Sequence, residues 1–211
     1  MNKIDLLLET FPLYSEDLGI DLKEPSGRFK WFVAAILFGA RISEKIATNT
    51  YKRFEQYGLD SPEKLIAAGW DELVNVLDEG GYVRYDFSTA TKLLGIMEAL
   101  QKRYGSLENL YEQSVDTEDL QRRLQEFKGV GVVTTQIFLR ELRGVWHINP
   151  AISSRARSVA ENLDINLQEF EGELLSRIET ALVKLSIRYC RKKRCEECSV
   201  KDFCSQIADM K

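Results

Sequence analysis

Several features are scarce or missing in this chain of 211 residues. No apolar run approaches the roughly 18 residues that a membrane-spanning helix needs, so the sequence predicts no membrane span. Runs that alternate apolar and polar residues are also scarce, whereas apolar spacings of three and four recur throughout. The single histidine, His147, stands between Trp146 and Ile148, and we interpret it as a packing residue. The recurring spacings of three and four, with few alternating runs, predict an all-α protein.

The charge balance is mildly acidic, with a net charge of −4 and a pI of about 5.3. Such a chain is not a general binder of polyanions, so a nucleic-acid partner requires a local basic surface. Residues 184–194 provide a candidate, because they carry six lysines and arginines and no acid. A solvated run of charges is the alternative interpretation of this segment.

Helix signals cover most of the sequence. Segment 28–38 is apolar nearly all round and is predicted to be a buried central helix. Ser43 and Ser61-Pro62 mark helix starts, because serine caps an N-terminus and proline fits the first turn. No linker rich in proline or glycine divides the chain, and we expect a lobe of residues 24–145 and a second of 1–23 plus 146–211. The predicted helices are 3–11, 28–38, 44–57, 62–68, 70–77, 87–104, 116–127, 134–142, 153–163 and 167–190.

All four cysteines lie near the C-terminus, in the spacing C-x4-C-x2-C-x5-C. Four thiolates in a short, basic segment can hold one metal centre. Zinc sites usually pair two C-x2-C knuckles, and disulfides need an oxidising compartment, for which the N-terminal residues show no apolar leader. We therefore predict a 4Fe–4S cluster in a reducing setting, with zinc and disulfides as the alternatives. The predicted ligands are Cys190, Cys195, Cys198 and Cys204.

A glycine turn separates two predicted helices at Lys128-Gly129-Val130-Gly131. Two glycines allow a tight turn and leave backbone N–H groups at a helix N-terminus unobstructed, which suits a phosphate oxygen. This is a helix-hairpin-helix pattern. Packing of the two helices is the alternative reason for such a turn.

The turn, an Asn149-Pro150 pair and the four-cysteine tail together resemble the endonuclease III family of base-excision DNA glycosylases, over nearly the whole chain. The resemblance implies two helical lobes with double-stranded DNA bent in the cleft between them. It also implies a base flipped into a pocket and a 4Fe–4S loop that meets the phosphate backbone. We expect a monomer that acts in the cytoplasm, or at the nucleoid in a prokaryote.

The catalytic positions depart from the family pattern. Val133 occupies the position of the family lysine, which attacks the sugar, and valine has no nucleophilic atom. Asn149 best matches the family aspartate if a short gap is allowed, with Ala151 as the alternative, and neither is a carboxylate. Glu126, Glu141 and Asp86 are candidate replacement carboxylates, although we interpret them first as helix charges. The catalytic residues are therefore not predicted.

The DNA-contacting positions are partly kept. Arg41 stands where the family has a glutamine that fills the space of the flipped base, and arginine can stack on bases or pair with phosphate. Tyr82 is the remnant of a wedge segment and is predicted either to enter the base stack or to pack in a turn. The cysteine loop is shorter than usual but fully basic. The predicted DNA-binding residues are Lys128, Gly129, Val130, Gly131, Val133, Thr134, Arg41, Tyr82, Arg191, Lys192, Lys193 and Arg194.

Two functional hypotheses follow from this pattern. The first is a divergent, monofunctional DNA glycosylase that removes a labile or unusual base, since a weak glycosidic bond needs less catalytic help. The second is a catalytically inactive protein that recognises damaged, bent or branched DNA. A redox or structural iron–sulfur protein unrelated to DNA is a third alternative, which the hairpin disfavours.

Overall fold

The computed structural model describes residues 2–208, and the regular structure in that range is entirely helical. This confirms the all-α prediction. No helix among these residues has both the length and the apolar character to cross a membrane. Short 3-10 turns lie at Leu167–Glu169, Cys190–Lys192, Cys195–Glu197 and Lys201–Phe203. The α-helices are α1 (Lys3–Thr10), α2 (Tyr14–Asp17), α3 (Pro25–Phe38), α4 (Glu44–Gln56), α5 (Pro62–Glu79), α6 (Asp86–Arg103), α7 (Leu107–Glu112), α8 (Thr117–Gln125), α9 (Val132–Arg140), α10 (Ser154–Asn162), α11 (Gly172–Arg188) and α12 (Ser205–Ala208).

Local capping explains where several helices begin. The Ser43 hydroxyl accepts the N–H of Ile46 at 3.2 Å, and the Ser61 hydroxyl accepts that of Lys64 at 3.3 Å, as predicted. Gly69 has a φ of +75° and interrupts α5, which confirms the predicted division of that segment. Helices α2 and α7 were not predicted, because four and six residues are too few to establish a periodicity.

The chain forms two compact units. The central unit is Leu18–Phe138, and the terminal unit combines the residues up to Asp17 with those from Leu139 onward. Helix α9 begins in the central unit and ends in the terminal one. The sequence placed the divisions at 23/24 and 145/146, a few residues further along the chain.

The core of the central unit is built around α3. Trp31, Phe32 and Leu37 are fully buried there, which confirms that this apolar helix is central. The indole of Trp31 donates to the carbonyl of Phe138 at 3.0 Å, so the polar atom of this large side chain is satisfied. Arg28, at the start of α3, forms a two-point ion pair with Glu108 through N–O distances of 2.8 and 2.9 Å.

The terminal unit has an apolar core formed by α1, α10 and α11. Leu7, Ile178 and Leu182 are fully buried in it. Cys198 and Val200 belong to the same cluster, and Val200 is also fully buried. The segment that carries the cysteines is therefore packed onto the apolar core of its own unit.

A buried polar network connects the end of α9 to α11 in the terminal unit. Arg143 and Glu179 form an ion pair at 2.6 Å, with side chains only 1% and 2% exposed. Burial lowers the pKa of the Arg143 guanidinium, and the Glu179 carboxylate opposes that effect. Glu141 accepts the backbone N–H groups of Tyr14 and Ser15 at 2.9 and 3.0 Å, and so it holds the start of α2.

We expect Glu179→Ala to lower the free energy of unfolding by about 3–5 kcal/mol, because it leaves the Arg143 charge buried and unpaired. Glu161→Ala, which removes an exposed carboxylate from α10, is the matched control and should change stability by no more than about 0.5 kcal/mol. Denaturant unfolding of the full chain measures both values. Equal stabilities of the two variants would contradict the structural role of the pair.

Candidate functional site

The predicted hairpin lies between α8 and α9. The N–H of Val130 donates to the carbonyl of Phe127 at 2.9 Å and closes the turn. The first helical bond of α9 runs from the N–H of Thr135 to the carbonyl of Gly131 at 3.0 Å. The three preceding N–H groups, at 132–134, therefore lack a carbonyl partner within the helix. A helix N-terminus of this kind attracts an anion.

The two glycines of the hairpin have different roles. Gly129 has a φ of +99°, which side chains rarely tolerate, and a Cβ there would stand 2.3 Å from Cδ of Lys92. At Gly131 the position that a Cβ would take has no atom within 4 Å, so the lack of a side chain leaves the surface of the turn open. Val130 is buried and anchors the turn, while Lys128 is exposed.

The first turn of α9 presents apolar groups to solvent. Val132 and Val133 are 56% and 58% exposed. Thr134 is buried, and its hydroxyl lies so close to Gly39 that a Cβ on that glycine would stand 2.3 Å away. The side chain of Thr134 is therefore committed to packing, and its backbone N–H is the group that remains for a ligand. Val133 occupies an accessible position but brings no ionisable group to it.

The loop that carries Asn149 is held at two points by the buried ion pair. Arg143 donates to the carbonyl of Pro150 at 2.8 Å, and Glu179 accepts the N–H of Ser153 at 2.9 Å. Asn149 itself is exposed. His147 is also exposed, with a φ of +41°, so the interpretation of this residue as a packing residue was wrong. Exposure depends on which distant elements cover a residue, so no local signal in the sequence indicates it.

Arg41 and Tyr82 lie in the central unit in different environments. Arg41 is exposed in the segment between α3 and α4. Tyr82 is 1% exposed, and its hydroxyl donates to the carbonyl of Leu37 at 3.0 Å. This differs from insertion into a base stack and corresponds to the alternative of turn packing. In the same turn it is Val83 that is exposed.

The candidate carboxylates all have structural partners. Glu141 is buried and holds the start of α2. Glu126 pairs with Arg103 at 3.3 Å, and Asp86 accepts the N–H of Phe87 at 2.7 Å at the start of α6. These contacts favour the interpretation of Glu126 and Asp86 as helix charges. Glu141 lies just beyond the end of α9 and is buried, so its interpretation as a helix charge was wrong and its role is structural.

The four cysteines line a single pocket in the terminal unit. The pocket encloses about 350 Å³ of space between atoms, part of it open to solvent. Burial raises the pKa values of the Cys190 and Cys198 thiols, and the neighbouring cysteines raise them further. Among residues 2–208, no three cysteine, histidine or acidic side chains converge on a site for one metal ion. The other lining residues are Val159, Asn162, Leu163, Leu185, Tyr189, Val200 and Lys201.

Short 3-10 turns shape the cysteine loop. Backbone bonds from Cys198 to Cys195 and from Cys204 to Lys201, both 3.1 Å, fold the chain around the pocket. Of the basic run, Arg194 is paired with Glu197 at 2.8 Å. Arg191, Lys192 and Lys193 are exposed, so the basic surface of the loop is smaller than the sequence predicted.

Comparison with known proteins gives a fold relationship. No protein-family model and no curated protein matches the sequence significantly. Among solved structures, the chain is similar to the H. pylori 3-methyladenine DNA glycosylase (MagIII) bound to 1,N6-ethenoadenine, with a TM-score of 0.53 and 15% identity. The similarity covers 89% of this chain and 98% of that protein. The chain thus has a helical fold like that of a DNA glycosylase.

We expect Gly129→Ala to lower the free energy of unfolding by about 1–3 kcal/mol, because it forces a side chain into left-handed backbone space and against Lys92. Gly131→Ala adds the same methyl group at the neighbouring glycine, where there is open space, and should change stability by no more than about 0.5 kcal/mol. Thermal and denaturant unfolding compare the two variants. A larger loss for Gly131→Ala would contradict the assigned roles of the glycines.

Proposed function

We propose that this protein is a base-excision DNA-repair protein, and that it acts as a monofunctional DNA N-glycosylase. The observation that carries the proposal is the helix-hairpin-helix turn, with open backbone N–H groups and an exposed lysine, in a chain whose fold resembles that of a DNA glycosylase. Backbone donors at a helix N-terminus bind a phosphate without reading its base, as a protein that searches duplex DNA requires.

The proposed DNA-binding surface follows from exposure in each unit. In the central unit it comprises Lys128, the backbone of 129–131, the N–H groups at the start of α9, and Arg41. In the terminal unit it comprises Arg191, Lys192 and Lys193. Tyr82 is omitted because it is buried, and Arg194 contributes less because Glu197 compensates its charge.

The proposed reaction is hydrolysis of the glycosidic bond rather than cleavage of the DNA strand. A lyase of this class needs an amine that attacks the sugar, and Val133 offers none. Asn149 can donate or accept a hydrogen bond but cannot balance positive charge on the sugar. The substrates that suit such a site are bases that leave easily. 3-Methyladenine, for which the structural neighbour is named, belongs to this class.

A DNA-binding protein without excision activity is the second candidate. One observation favours it: the carboxylates Glu141, Glu126 and Asp86 all hold structural contacts. In that case the open hairpin would bind damaged or bent DNA, and no base would be removed.

We further propose that Cys190, Cys195, Cys198 and Cys204 hold a 4Fe–4S cluster. All four side chains border one pocket, whose wall includes the buried Val200 and Leu185. Burial disfavours free thiolate anions at this site, whereas binding to iron stabilises the thiolate form. A cluster there would therefore be bound by four thiolates and would fix the loop by four bonds. It would also hold the exposed cations of 191–193 in one arrangement. Zinc is the alternative occupant, but it needs the thiolates to meet on one ion, and no three of the ligands among residues 2–208 converge in that way.

For the cluster, we expect protein purified without oxygen to be brown and to contain about four iron and four sulfide per chain. Cys198→Ser should be colourless and should unfold at a lower temperature, because Cys198 lies in the apolar core. Ser199→Ala, at the exposed neighbouring position, is the control and should keep iron and colour. One zinc per chain in place of iron would contradict the cluster.

For excision, we expect single-turnover assays with alkaline cleavage to reveal release of alkylated purines from a labelled duplex. Borohydride should trap no covalent adduct, because no lysine occupies the family position. Asn149→Asp should raise the rate by about 10²-fold or more, since a carboxylate stabilises charge on the sugar. Asn166→Asp, an exposed cap of the 3-10 turn that follows α10, carries the same charge change and should leave the rate unaltered.

Three other outcomes of this assay are informative. Excision of other lesions but not of alkylated purines would change the substrate class and keep the reaction. A silent wild type with an active Asn149→Asp variant would favour the binding protein without excision. An adduct with borohydride would show that another amine acts as a nucleophile.

A further inference from the structure

Lys92, in the middle of α6, packs directly against the hairpin. Its Cγ and Cδ lie 2.6 and 2.3 Å from the position that a Cβ on Gly129 would take. The aliphatic part of Lys92 therefore fills the space that the missing side chain of Gly129 leaves. Its ammonium is two bonds beyond Cδ, so it lies at the hairpin although it is distant in sequence.

The charge of Lys92 has no partner within residues 2–208. No hydrogen bond or ion pair connects its ammonium to a described side chain or carbonyl. By contrast, Arg103 and Arg122 are both paired with Glu126, at the C-terminal end of α8. Lys92 is half-buried, and burial is the cause that lowers the pKa of its ammonium. A desolvated cation without a counter-charge is unfavourable unless a ligand supplies one.

Nothing about fold stability requires a charge at this position. The contact with Gly129 is made by methylene groups, which a methionine would reproduce. The adjoining parts of the hairpin, Lys128 and the N-terminus of α9, are also positive in character. The turn and Lys92 together thus form a concentration of positive charge around an open backbone.

We propose that Lys92 is a phosphate-binding residue of the hairpin, which supports the turn with its stem and meets a DNA phosphate with its ammonium. This inference rests on the proposed function, because it assumes that the hairpin contacts DNA. It adds a residue from a different helix to the binding surface. The packed stem of Lys92 is a second reason for glycine at position 129, beside the φ of +99°.

The test is the salt dependence of binding of the full chain to an unmodified, fluorescently labelled duplex. Affinity is measured by anisotropy between about 50 and 200 mM salt, where each lost phosphate contact changes the slope of log K against log salt by about one. Lys92→Met removes the charge and keeps the stem, and Lys92→Arg keeps the charge. Lys64→Met also removes one positive charge, from an exposed lysine paired with Asp60 at 2.7 Å.

We expect Lys92→Met to make the slope shallower by about one and to weaken binding several-fold at about 100 mM salt, with Lys92→Arg and Lys64→Met close to wild type. The melting temperature of Lys92→Met should be equal to or above that of wild type, since a half-buried charge is replaced by an apolar group. If Lys92→Met has the slope and affinity of wild type, the proposed role of Lys92 is wrong. The role is also wrong if Lys92→Met loses affinity and its melting temperature falls as well.

Gly131→Asp separates this inference from the proposed function. Its carboxylate stands in the open turn and should abolish binding by repelling phosphate. If Gly131→Asp loses binding and Lys92→Met does not, the hairpin binds DNA and the role of Lys92 is wrong. If wild type itself shows no binding that depends on salt, both the proposed function and this inference fail.

Discussion

The buried ion pair between Arg143 and Glu179 is the interaction on which the Asn149 segment of the terminal unit depends. Both charges are almost fully removed from water, and at 2.6 Å they compensate each other in a region of low dielectric. The same two side chains hold the backbone at Pro150 and at Ser153, and so they fix the segment that carries Asn149. The exposed loop owes its shape to a buried contact.

At the hairpin, the groups exposed to solvent for binding are backbone N–H groups rather than side chains. Gly129 allows the turn, Val130 anchors it and Gly131 leaves it bare. In the same region, the position at which the resembled family has its nucleophilic lysine is Val133, which is exposed and has no amine. Under the proposed function, the chain has the means to hold phosphate without the means for covalent chemistry on the sugar. The specificity of excision would then come from how readily a base leaves.

Much of the fold could be predicted from the sequence because long helices repeat their apolar positions and mark their ends. Local signals can be recognised without knowledge of the fold. Examples are the capping serines Ser43 and Ser61 and the break at Gly69. The candidate site was less predictable. Two interpretations of Tyr82 stayed open and the interpretation of His147 was wrong, because exposure depends on which distant element covers a residue. The Tyr82 hydroxyl, for example, donates to the carbonyl of Leu37 in α3.

The helical class, the glycine turn and the four cysteines at the end of the chain are each encoded in residues that lie close together, and so they can be recognised from the order of amino acids. Which charges are buried and which groups meet depends instead on tertiary packing. Packing paired Arg143 with Glu179, committed Glu141 to the start of α2 and brought Lys92 to the backbone of Gly129. These contacts join residues that are distant in the chain, and their energies depend on desolvation, which is set by how the helices pack.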